Sequence, residues 1–444
     1  LMPLYTKVLS EAQYGTVDLM VQVGNFLLPL VSCGIVNGII RFGLDKYYKK
    51  RDVFTTGFLT ILFGFIILLI LEPILVHVPY LNENTMMIYV FVLMSSMRSL
   101  CSQFVRAKGY VKLYAIDGLL STATTIFFNV LYLVVLKWGI NGYMLAMISA
   151  DTLSTLFLFY VAGLRRYLHI RGLNLSTSQE MLRYSIPMIP NSIFWWVNNM
   201  ASRYMIAYFM GEEYNGLFAV AYKIPTIIVL MSNIFMDAWQ MSAVSDSPDK
   251  RASFFTRVFL FYQSLICTAA SGLILFSKVI TMILVSDSFY ESWKYIPLLL
   301  LSTIFSCMST FLGSVYMVEK KSMLNFITTG IGAVINVVLN FLFIPIFGVN
   351  GAAFATFLSY FVVFVLRVID TRRFIPMHFH PMRLTFNTLV LLAQAFIMIF
   401  EVKGWIFFEL ILTVLMVVAN MSALLATVAQ LLLKRRPHPQ HHEE

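Results

Sequence analysis

"WWVNNMASRYMIAYFM" (195–210) reads as an apolar helix, yet adjacent asparagines and Arg203 stand inside it. A charge at the centre of a bilayer costs about 2.5–3.5 kcal/mol or more unless it snorkels or finds a partner. The rest of the chain decides which solvent this helix meets. Of its 444 residues, 59% are hydrophobic and only 12% charged, and the mean hydropathy is +0.79. A soluble domain carries roughly 25% charged residues. Apolar runs of about 20 residues, enough to cross about 30 Å of hydrocarbon, recur from one end to the other. The expected class is an all-α polytopic membrane protein.

Thirteen runs are counted between 11–40 and 405–433, and "LMPLYTKVLS" (1–10) reads as the outer end of another. The loops alternate in charge. "RFGLDKYYKKRD", "RAKGYVK", "LRRYLHIRG", "DKRASFFTR", "EKK", "RVIDTRRF" and "KRR" hold most of the Lys and Arg. "HVPYLNEN", "KWGING", "GEEYN", "SDSFYESW", "IFGVN" and "EVKG" are nearly free of them. The positive-inside rule then puts the basic loops and the C-terminus in the cytoplasm. It also accounts for the net charge of +10 without a nucleic-acid partner. Cys33, Cys101, Cys267 and Cys307 lie in apolar runs without CxxC spacing or neighbouring histidines, so no metal site is expected.

Two pairs of stretches match. "EAQYGTVDLMVQVGNF" (11–26) pairs with "EEYNGLFAVAYKIPTI" (212–227), and "WGINGYMLAMIS" (138–149) with "FGVNGAAFATFLS" (347–359). The matched spans run in the same direction, which predicts a parallel repeat related by a pseudo-twofold axis along the membrane normal. The offset between Glu11 and Glu212 places the start of a first helix ahead of Leu1, so that helix is expected to be truncated. The architecture expected is two six-helix lobes, residues 1–172 and 173–373. Residues 374–444 then add helices 13 and 14 and a cytoplasmic basic tail, for about 14 transmembrane helices.

Polar residues inside the spans fall in stripes. Asp18, Gln22, Asn25, Pro29 and Ser32 share one helical face, as do Lys223, Thr226, Asn233, Asp237 and Gln240. Ser192, Trp196, Asn199 and Arg203 form a third, with Arg203 seven residues or roughly 10 Å short of Met210. Lys223 lies at similar depth, and Arg98 is well inside its own span beside Ser95 and Ser102. Structural accounts exist for each: snorkelling for Arg203 and Lys223, pairing of Arg98 with Asp117 or Asp151, and helix–helix hydrogen bonds for the asparagines. Three cations with two phased stripes and few buried acids instead describe a hydrated cavity suited to a phosphate. The candidate binding residues are Arg41, Arg98, Arg203, Lys223, Gln22, Asn25, Asn199 and Asn233. Arg41 ends its helix at the cytoplasmic face, where topology alone explains it but where it also suits capture of an anionic headgroup. Pro29, Pro187, Pro190, Pro225, Pro297 and Pro345 fall inside spans and favour kinks.

No phosphate-binding glycine loop, HExxH or GxSxG is present, and the carboxylates within spans are scattered, so an enzyme is not expected. "LMPLYTKVLSEAQYG" (1–15), "YSIPMIPNSIFWWVNNMASRYMIAYFMGEEYNGLFAVAYKIP" (184–225) and "VINVVLNFLFIPIFGVNGAAFATFLSY" (334–360) carry a resemblance that runs through essentially the whole chain. The chain resembles the polysaccharide-biosynthesis (Wzx-type) flippases of the MOP superfamily, relatives of MATE exporters and lipid II flippases.

The resemblance implies a bacterial or archaeal inner-membrane protein with two lobes around a central cavity. Its expected work is to flip undecaprenyl-pyrophosphate-linked oligosaccharide repeat units by alternating access, for O-antigen, capsule or exopolysaccharide synthesis. Partners implied are the lipid-linked oligosaccharide, membrane lipids, and a polysaccharide polymerase with its chain-length machinery. An arginine of the family matches Arg203, but the acid that often precedes it is Ser202 here, which leaves Arg203 without that counter-ion. Capture at Arg41 and Arg98 and delivery toward Arg203 and Lys223 is the path expected. No cofactor is expected, and Na⁺ or H⁺ coupling would run through Asp18, Asp117, Asp151 or Asp237. The alternatives are a lipid II flippase, a MATE-type drug or cation antiporter, which would prefer buried acids, and a non-transporting membrane scaffold.

Overall fold

Ser10 begins the first long helix by satisfying its free amides. Its Oγ accepts from the Gln13 amide at 3.2 Å, and Gln13 Oε1 accepts from the Ser10 amide at 3.1 Å, the reciprocal capping box. The computed structural model describes residues 1–45, 47–72, 84–169, 173–243, 248–319 and 321–434, and among these no strand occurs. Asn199 and Asp237 lie on described helices, but their side chains fall outside the described residues.

Internal packing divides the chain into two units, Leu1–Gly216 and Leu217–Glu444. The first holds α1 (Met2–Val8), α2 (Glu11–Val31), α3 (Ile35–Leu44), α4 (Lys50–Ile70), α5 (Thr85–Ala107), α6 (Val111–Asn129), α7 (Gly139–Val161), α8 (Leu175–Ser185) and α9 (Ile189–Met210). Helix α10 (Glu212–Ala221) begins in it. The second holds α11 (Thr226–Ala243), α12 (Pro248–Leu275), α13 (Ser277–Leu284), α14 (Ile296–Val318), α15 (Ser322–Thr371), α16 (Pro381–Ile399) and α17 (Trp405–Lys434).

The run 11–40, expected as one span, is two helices. Cys33 and Gly34 take φ of 47° and 64°, and the Gly34 amide bonds back to Pro29 O at 3.0 Å. Pro29 lies inside α2 and Pro345 inside α15. Of the other prolines, only Pro225 stands at a bend among the described residues. Pro190 and Pro187 sit in first turns, where the missing donor costs nothing. Pro297 is the second residue of α14, and Pro225 stands in the break where α10 and α11 meet at 44°.

Helix α15 is 50 residues long only in name, because Gly348 (φ 61°, ψ −141°) interrupts it. The Phe343 and Phe354 rings meet at 5.8 Å, Asn336 Nδ2 reaches Thr356 Oγ1 at 3.5 Å, and Arg367 Nε reaches Thr328 Oγ1 at 3.1 Å. Each pair lies further from Gly348 on both sides, so the two arms are an antiparallel hairpin. A Cβ on Gly351 would stand 2.2 Å from Phe343 O. The matching motif in the first unit turns similarly: Gly139 has φ 56°, and a Cβ on Gly142 would stand 3.0 Å from Tyr132 O.

Ten helices among the described residues are long and apolar enough to cross a membrane, or eleven if the bent pair α10–α11 is one span. The hairpin α15 enters that count once, and α9, which carries Arg203, does not enter it. Large apolar side chains such as Phe63, Leu119 and Ile283 are exposed at 64%, 74% and 71%, as a surface that meets lipid requires. This is a multi-pass membrane protein.

Candidate functional site

Helices α5, α6 and α7 are joined by one arginine and two acids. Arg98 Nη1 donates to Asp151 Oδ1 at 2.9 Å, and its Nε donates to Ser154 Oγ at 3.2 Å. Ser154 in turn donates to Asp117 Oδ1, and Ser95 donates to Asp151 Oδ2. The arginine side chain keeps 31% of its surface exposed while that of Asp151 keeps 12%. The exposed part of Arg98 borders a cavity of about 310 Å³ lined by Ser95, Ser99, Ser102, Gln103 and Asp151. A second hollow of about 180 Å³ shares Ser99 and adds Ser96, Ser32 and Asn37. Hydroxyls, two amides, one guanidinium and the Asp151 carboxylate line the two hollows, and the donors among them suit phosphate and sugar oxygens.

The α2 stripe forms a second network, laid against α9. Arg203 Nη1 donates to Asp18 Oδ2, with the two side chains 5% and 8% exposed. Gln22 Nε2 lies 3.5 Å from Asp18 Oδ1, and Asn25 Nδ2 donates to Gln22 Oε1 at 3.1 Å. Trp196 Nε1 caps the row on Gln22 O at 2.9 Å, and Tyr204 Oη donates to Leu19 O at 3.1 Å. The counter-ion that Ser202 does not supply comes instead from Asp18. A partner comes from another helix, where sequence proximity gives no hint of it.

Other candidates stand apart from these networks. Arg41 is exposed and stacks over the Tyr184 ring at 4.3 Å. Asn233 and Lys223 are exposed, as is Asn25 at the end of the α2 network. Among the described residues, no group of three or more His, Cys, Asp or Glu is arranged to hold a metal ion.

The expected scarcity of buried acids is corrected. Among the described residues, Asp18, Asp52, Asp117, Asp151 and Glu409 are buried, against Arg203 and Arg367 among the cations. Asp52 and Glu409 each stand close to a span's end in sequence, where an acid reads as a loop residue. Arg367 reads in sequence as part of the basic loop "RVIDTRRF", yet it is 5% exposed inside α15. It donates to Ser309 O at 2.6 Å, Thr328 Oγ1 at 3.1 Å and Thr329 Oγ1 at 2.9 Å. It thus joins α14 to both arms of the hairpin, as Arg98 joins α5 to α7.

Known proteins share this architecture. The family described as "Polysaccharide biosynthesis protein" matches residues 4–296. No curated protein matches the sequence. The inward-facing conformation of a multidrug resistance MATE family transporter of the MOP superfamily superposes with a TM-score of 0.69 at 12% identity, covering 83% of this chain and 93% of that one. The lipid II flippase MurJ in an inward closed conformation gives 0.63 at 13% identity over 97% and 96%. An outward-facing MATE transporter of the same superfamily gives 0.58 at 13% over 81% and 87%. At such identities the likeness is one of fold.

Proposed function

We infer function from the premise that the chain belongs to the polysaccharide biosynthesis protein family: it is a flippase that moves undecaprenyl-pyrophosphate-linked oligosaccharide repeat units across the cytoplasmic membrane by alternating access. The observation that carries this reading is Arg98, a part-exposed cation on a polar cavity of about 310 Å³ in a membrane helix bundle. A pyrophosphate oxygen would compete with Asp151 for the guanidinium, and the surrounding hydroxyls would take sugar oxygens. Arg41 would gather the headgroup at the cytoplasmic mouth. Release would proceed past Gln22, Asn25, Asn199, Asn233 and Lys223, with Arg203 reached only when its pair with Asp18 opens. The matched turns at Gly139 and Gly348 support a parallel repeat, and the basic loops support a cytoplasmic C-terminus in an inner membrane. A polymerase and chain-length machinery would receive the product.

Asp117 and Asp151 favour a second reading. Beside one arginine they leave the cluster with formal charge −1 when both are ionised, which suits a proton or Na⁺ and the export of a cation. In the flippase these same acids would couple transport: a proton on Asp151 releases Arg98 to the substrate.

Reconstitution of the protein in liposomes with a fluorescent lipid-linked oligosaccharide tests both. Arg98→Ala, with folding verified, should lose translocation at least tenfold. Wild-type translocation in Arg98→Ala would make that arginine a helix tie and sink the proposed site. Exchange of a cationic dye for protons, with the oligosaccharide left in place, would establish the antiporter instead.

A further inference from the structure

The last two long helices enclose an acid outside both networks described above. Glu409 of α17 is fully buried. Its Oε2 accepts from Gln394 Nε2 of α16 at 2.8 Å, and the same nitrogen donates to Thr413 Oγ1 at 3.0 Å. Ser271 of α12 reaches Thr413 Oγ1 at 3.4 Å. Glu409 Oε1 and Gln394 Oε1 are both buried with no hydrogen-bond partner among the described residues. Two acceptor oxygens of one contacting pair thus lack a donor.

Among the described residues, no ion pair compensates an ionised Glu409. Helix α17 packs on α12 and α16. From α16, Gln394 and Asn387 are neutral amides, and Arg383 bonds Ser422 at 3.2 Å, thirteen positions along α17 or roughly 20 Å away. From α12, the titratable groups of the buried stretch are Tyr262 and Cys267, both neutral at physiological pH, with Arg257 further toward its start. On the chain leading into α17, Lys403 is exposed and Glu401 is held by Lys278 of α13 at 2.6 Å, before the helix begins. Among the described residues, no Lys, Arg or His makes an ion pair with Glu409.

A carboxylate in this position would be a buried charge held by a single amide, far costlier than a neutral acid with the same neighbours. We propose that Glu409 binds a proton, and that α12, α16 and α17 close around the neutral carboxylic acid as a proton-binding site. The proton comes from water and adds to the carboxylate, and the new O–H supplies the donor that the two orphaned oxygens lack. Its release would put a negative charge against acceptor oxygens and loosen α17 from α16. The site does not depend on which substrate the protein carries.

Infrared difference spectra of the full chain in lipid nanodiscs, recorded across a pH series, test this directly. A carboxylic-acid C=O band at neutral pH, absent from Glu409→Gln, is the expected result. Alkaline pH should lower the thermal midpoint of the wild type but spare Glu409→Gln, whose amide mimics the neutral acid. No such band at neutral pH, or the same alkaline sensitivity in both proteins, overturns the proposal. Gln394→Leu guards against a misfolded Glu409→Gln. It keeps the acid and removes its amide, so the band should move to higher frequency, and an unmoved band overturns the site as described.

Discussion

Asp18 and Arg203 stand 185 positions apart in the chain and form one ion pair between α2 and α9, each less than a tenth exposed. A buried pair contributes little net stability when intact, but removing one partner strands a charge, at a cost of about 3–5 kcal/mol. Asp18→Asn and Arg203→Met should therefore each lower the thermal midpoint strongly. The double variant Asp18→Leu/Arg203→Met should recover most of the loss. Additive losses would show that the two side chains are not partners.

Gly15 and Gly216 predict a sharper failure. A Cβ on Gly15 would stand 1.9 Å from Glu212 O, and one on Gly216 would stand 2.1 Å from Glu11 O. The contact is reciprocal, and Asn215 Nδ2 seals it on Gly15 O at 3.0 Å. Gly15→Val or Gly216→Val should abolish the monodisperse folded peak in detergent chromatography. Gly118, with nothing within 4 Å, is the control. Gly118→Ala should be neutral or raise stability by about 0.5–1 kcal/mol through helix propensity.

Lys278 donates to Glu401 at 2.6 Å while its ammonium lies 4.0 Å from the Trp293 ring and 4.7 Å from that of Trp405. The hydrogen bond and charge of Lys278 hold the Glu401 carboxyl below its ordinary 4.5. A depressed folded value means stability present above the unfolded value and lost as pH falls through the folded one. The difference in thermal midpoint between wild type and Glu401→Gln should thus be constant at neutral pH and vanish in acid below the ordinary carboxylate range. A difference that persists there would remove the pair as its cause.

Among the described residues, Arg367, on the second arm of α15, bonds only neutral acceptors, drawn from α14 and the first arm. A guanidinium presents its donors in a fixed planar fork that an ammonium cannot copy. Arg367→Lys should therefore destabilise nearly as much as Arg367→Met, by about 2 kcal/mol or more in chemical denaturation. Full rescue by lysine would show that charge alone matters at this site.

The helical membrane class was legible because apolar run length and loop charge are local quantities, read without knowing any contact. The pairing of Arg98 with Asp117 or Asp151 was open in the sequence only as the structural alternative to a binding role, and both acids join its network. Which helix faces the Asp18 stripe was not legible: phase along α2 fixes a shared face but not the neighbour that covers it. Glu409 was a missed signal of another kind. A single acid within an apolar run of this length marks a functional position by itself, and its closeness to "EVKG" disguised it as a loop residue. Arg367 was hidden in the same way by the basic cluster that follows it.

The break at Gly348 also bears on how the protein is made. Its arms are joined by almost no polar connection, since Gly351 already touches Phe343 across the turn. An arm of this kind has no soluble segment to hold it while the next is synthesised. A hairpin turned this tightly is expected to leave the translocon as a pair. A glycosylation tag or epitope placed at Gly348 would then report on biogenesis and not on topology, because it would have to split the pair before it could be displayed.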